Sequence, residues 1–66
     1  MIKVTSIKRE QEGAIIIAFA DDKTDVTSGM TIEGLPEDTE IVYGSMIYTA
    51  SGDVAFLKSN GTWNWV

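Results

Sequence analysis

The 66-residue chain contains no cysteine and no histidine. The first absence removes disulfides and a thiol nucleophile. The two together remove Ser-His-Asp and Cys-His catalytic arrangements and leave zinc, copper and iron without their usual nitrogen and sulfur ligands. Only oxygen ligands remain, which suit calcium or magnesium. Asp21, Asp22 and Asp25 are the nearest thing to such a set. Their spacing does not match the D-x-[DN]-x-[DN]-G loop, so a solvated turn is expected and no metal. Basic residues are scarce as well: five against ten acidic ones, for a net charge of −5. A nucleic-acid-binding surface should be basic, so no nucleic-acid partner is expected. Long apolar runs are also lacking. The longest, residues 14–20, falls far short of the ~20 residues that cross a bilayer. The start, MIKVTSIKRE, carries charges where a signal peptide would need an unbroken apolar stretch. No membrane association is expected, and synthesis in the cytoplasm is. Neither G-x-x-x-x-G-K-[ST] nor G-x-G-x-x-G occurs, so no phosphate-cradling loop and no cofactor are indicated.

A chain this short buries only about 60% of its unfolded surface, and such a core rarely supplies more than roughly 3–5 kcal/mol. With disulfides excluded and a metal disfavoured, self-association is the remaining way to stabilise it.

What is present reads as β-structure. Residues 2–9 are β-branched and polar by turns, with Ile2 and Val4 in one parity and Ile7 out of it. A bulge near Thr5 and Ser6 would bring all three to one face. Residues 10–13, EQEG, make a turn; a three-residue loop would set Ile7 opposite Ile17 and Arg9 opposite Ile15. Residues 14–20, AIIIAFA, are apolar on both parities, which predicts a central strand covered on both sides. Arg9, Glu12, Asp21, Asp22 and Lys23 flank it as charged guards against aggregation. Residues 21–29 form a polar connection, and residues 30–32 a short extended piece. Leu35 plugs the core before Pro36, the only proline, where a short helical turn over 36–39 is possible. Residues 40–43 read as a short strand.

Residues 44–66 read as a three-stranded meander with turns at Ser51-Gly52 and Asn60-Gly61. Two-residue loops at both turns would place Ile47, Val54, Phe56, Trp63 and Trp65 on a core face. Met46, Tyr48, Ala55, Leu57, Asn64 and Val66 would then lie on the other. That second face is too apolar for plain solvent exposure, and a terminal strand bearing tryptophan invites docking, so Met46, Tyr48, Leu57 and Val66 from that face, with Trp65, are the candidate interface residues. The expectation is one all-β domain over 1–66: an N-terminal hairpin over 1–20, an irregular connection over 21–39 and the meander over 40–66. The arrangement would be an SH3-like barrel or a small sandwich.

No catalytic set emerges. The carboxylates Glu10, Glu12, Asp21, Asp22, Asp25, Glu37, Asp38 and Asp53 fall in turns, where they are ordinarily solvated, and so small a β-fold has little room for a substrate pocket. Tyr43, Tyr48, Trp63 and Trp65 could stack sugars or bases, but only Lys58 is close by in sequence, and a core or interface role fits them better. Non-enzymatic function is expected.

Gly44-Ser45, Tyr48, Ser51-Gly52-Asp53 and Gly61-x-Trp63 together resemble a pattern found in small virion proteins of tailed bacteriophages, head-fibre-like or accessory. The likeness covers residues 35–66, about half the chain. It implies a structural component of a virion, made in the host cytoplasm, that forms a homo-oligomer (a trimer is one option) or joins capsid or tail proteins. The competing reading is a small acidic module with an SH3-like barrel that occupies a basic site on a partner. It requires Glu10, Glu12, Asp21, Asp22 and Asp25 to share a face.

Overall fold

A computed structural model of the protein describes residues 1–27 and 29–66; Ser28, part of the expected polar connection, lies outside them. The described strands are β1 (Ile2–Glu10), β2 (Gly13–Ala20), β3 (Ile32–Glu33), β4 (Met46–Thr49), β5 (Val54–Leu57) and β6 (Trp63–Trp65). They form one mixed sheet in the order β3-β1-β2-β4-β5-β6. The expected all-β fold is present, with its N-terminal hairpin and C-terminal meander. The two halves do not face each other as separate layers. β2 and β4 pair in parallel, Ile17 with Met46 through Ala20 with Thr49, and this joins hairpin and meander edge to edge.

β1 carries its bulge between Val4 and Ser6. Ile2, Val4 and Ile7 consequently lie opposite Ala20, Ala18 and Ile16, all on one face. The bulge is held on its solvent side by the Thr5 hydroxyl, which donates to the Ile17 carbonyl at 3.0 Å. The loop joining β1 and β2 is one residue shorter than expected. Glu10 pairs with Gly13, so Ile7 meets Ile16 rather than Ile17 and Arg9 meets Ala14 rather than Ile15.

Both meander turns are one residue longer than expected. Thr49 pairs with Asp53 around residues 50–52, and Lys58 with Thr62 around residues 59–61. Gly52 (φ 94°) and Gly61 (φ 87°) sit in the left-handed conformation that closes such a loop. Each added residue flips a strand against its neighbour. The two flips cancel between β4 and β6, so Ile47, Trp63 and Trp65 do share a face. Only β5 is reversed: Ala55 and Leu57 join them, while Val54 and Phe56 face the other way with Met46 and Tyr48.

The inner face holds the core: Ile2, Ala14, Ile16, Ala18, Ala20 and Ile47 are each at most 2% exposed. Val26, Met30, Leu35 and Ile41, from the long connection between β2 and β4, pack over it together with Ile32. Three alanines, Ala14, Ala18 and Ala20, allow this irregular segment to lie close to the sheet. Residues 40–43 make a single bridge, Ile41 to Ala14, rather than a strand. Gly13 permits the approach: a Cβ there (φ 147°) would stand 2.2 Å from the Glu40 carbonyl oxygen. No helical turn forms over 36–39; Asp38 takes φ 59° instead. A 3-10 turn occurs earlier, at Lys23–Asp25, capped by the Asp22 carboxylate accepting from the Thr24 amide.

Candidate interaction surface

Alternation along the strands dictates what the outer face must carry. On β2 it is Ile15, Ile17 and Phe19, on β4 Met46 and Tyr48, and on β5 Val54 and Phe56. These seven side chains form a continuous apolar strip three strands wide. Ile17 and Phe56, on its two flanking strands, are 37% and 44% exposed. Phe19 and Tyr48 meet edge to face across the parallel pair, with ring centroids 5.3 Å apart at 64°. β2 is therefore central in the sheet but covered on its inner face only, contrary to the expectation of cover on both sides.

The strip has charged borders. Lys3 lies opposite Phe19 and Lys8 opposite Ile15 on the same face, with Glu33 beside Lys3 and Glu10 two residues past Lys8. On the far side Lys58 follows Phe56 in the same parity, and β6 contributes the neutral Asn64, opposite Phe56. No carboxylate occurs among the seven strip positions.

The candidate interface residues divide between the two faces. Met46 and Tyr48 belong to the outer strip, where Ile15, Ile17, Phe19, Val54 and Phe56 accompany them. Leu57 lies on the inner face because the longer turns reverse β5, and Trp65 lies there with Ile47, as its parity implied. Trp65 is half-buried, and the Lys23 ammonium sits over its ring at 4.9 Å from the centroid. Val66 follows β6 and is 89% exposed. The outward parity of Ile15, Ile17 and Phe19 was readable in the sequence; that this side stays open was not.

The aromatic residues do not make a common stacking platform. Tyr43 stands exposed ahead of β4, Tyr48 lies on the outer face, and the tryptophans lie on the inner one. Trp63 and Trp65 line a small cavity of about 240 Å³ with Val26 and Thr62. A larger, open depression of about 460 Å³ at the hairpin turn is bordered by Glu10, Glu12, Ile15, Val42 and Tyr43.

The acidic residues separate along the hairpin. Glu10 and Glu12 flank the β1–β2 turn, whereas Asp21, Asp22 and Asp25 lie beyond the other end of β2, about 25 Å away at ~3.3 Å per residue. At that second end the Met1 ammonium is held 2.8 Å from Asp25 Oδ2 and 3.4 Å from Asp21 Oδ2. The hydrogen bond to Asp25 raises the ammonium pKa and lowers that of Asp25. Among the described residues, no three acidic side chains stand close enough together to hold a metal ion. No helix among them is long and apolar enough to cross a membrane.

Fold and surface together define a small all-β protein with one covered and one open sheet face. Compared with known proteins, the chain matches no family model, no curated protein and no solved structure.

Proposed function

We propose that this protein is a non-enzymatic structural or accessory component of a tailed-phage virion. It would assemble with itself, bind capsid or tail proteins, or do both. The observation that carries assembly is the outer face: seven apolar side chains on three adjacent strands, with Ile17 and Phe56 exposed on the two flanking ones. A sheet face of this kind is ordinarily covered by a second layer. The virion setting rests on the resemblance of residues 35–66 alone. The acidic-module alternative is weakened by the separation of its carboxylates to opposite ends of β2. Light scattering on the purified protein tests assembly. A mass of two or more chains at tens of micromolar is expected, and a monomer throughout that range overturns the reading.

A further inference from the structure

We infer that the outer face receives a second copy of this chain, sheet against sheet, about a two-fold axis through the centre of the strip. This rests on the assembly reading above and specifies where and how assembly occurs.

The arrangement of the strip suits its own kind. β4 is its middle strand, with the apolar row of β2 on one side and that of β5 on the other. Two transverse rows, Ile17–Met46–Phe56 and Phe19–Tyr48–Val54, cross all three strands. A two-fold axis through their centre lays these rows on apolar rows of the second copy. The outward charges, Lys3 beside Glu33, Lys8 and Glu10 on β1 and Lys58 past β5, stay at the border, where a polar rim belongs.

Size is consistent. The molecule extends 32 × 23 × 20 Å and exposes 4468 Å². One side of such a body is about a sixth of that surface, roughly 750 Å², near the ~800 Å² that each partner gives to a standard interface. The pair would be an aligned sandwich with its sheets ~10 Å apart, each covering what the other leaves open.

The experiment uses the full chain, and its freedom from cysteine makes single-cysteine variants clean reporters. Wild type should sediment as a dimer at tens of micromolar. Phe56→Lys, at an exposed position, should keep the wild-type circular dichroism spectrum and raise the dissociation constant by about 30-fold or more. A bismaleimide with a spacer of about 10 Å should join two copies of Met46→Cys, which lies on the middle strand of the strip. It should not join two copies of Lys8→Cys, which lies at the border of the face and about 20 Å from its copy whether the axis runs along the strands or across them. A wild-type monomer removes both the assembly reading and this inference. A wild-type oligomer that Phe56→Lys leaves intact, or that cross-links through Lys8→Cys and not Met46→Cys, removes this inference and leaves assembly to another surface.

Discussion

At the scale of single residues, two small side chains secure the join between the crossing segment and the sheet. Ser45 is fully buried; its hydroxyl accepts from the Ile16 amide at 2.9 Å and donates to the Val42 carbonyl at 2.8 Å. Ser45→Ala would leave a buried amide without a partner and should cost about 1–3 kcal/mol, read from the midpoint of urea unfolding. At Gly13, a methyl group would collide with the Glu40 carbonyl, and φ is unsuited to any other residue. Gly13→Ala should cost about 2–3 kcal/mol in the same assay and disrupt the bonds that tie Glu40 and Val42 to Ala14. The sequence announced Gly13 only as a turn residue. Its second role depends on a segment nearly thirty residues away, which local pattern cannot report.

At the scale of elements, the strands were legible and their registers were not. Alternation and β-branching marked β1, β2 and the meander strands, and the parity break at Ile7 correctly implied the bulge. Ser51-Gly52 and Asn60-Gly61 fit two-residue and three-residue loops alike, since both place glycine in the left-handed region. The choice is made by contacts beyond the turn. At Thr49–Asp53, the Thr49 hydroxyl accepts from the Asp53 amide at 3.2 Å and bonds Ser51 at 3.0 Å, which secures the longer loop. The parallel pairing of β2 with β4 was hidden for a related reason: twenty-five residues separate the strands, and neither advertises its neighbour. The first strand also has an electrostatic tie at its start. The Met1 ammonium, its pKa raised by Asp25, stabilises the fold fully below its unfolded value of about 8, and that contribution is lost as pH rises through the higher folded value. Asp25, its pKa lowered by the same bond, contributes above about pH 4, and that part is lost as pH falls through the depressed folded value. The contribution of this pair should therefore be constant between about pH 4 and 8 and fall on either side. Asp25→Asn should lessen the decline on the alkaline side, measured by melting from pH 5 to 10.

At the scale of the whole molecule, a sheet with one open apolar face ties stability to concentration. If copies cover each other's outer faces, the melting temperature should climb as the protein is concentrated from about 1 to 100 μM, and Phe56→Lys should abolish the climb. A melting temperature independent of concentration would speak against such coupling. The order of strands has a further consequence during synthesis. β2, the most apolar stretch of the chain, is complete at residue 20, while the strand that closes its second edge begins at residue 46. At ~5–20 residues per second, that edge waits roughly 1–5 s on the ribosome with only the β1 hairpin beside it. Asp21, Asp22 and Lys23 emerge directly after it, in time to discourage nascent neighbours on one polysome from pairing through the same isoleucines.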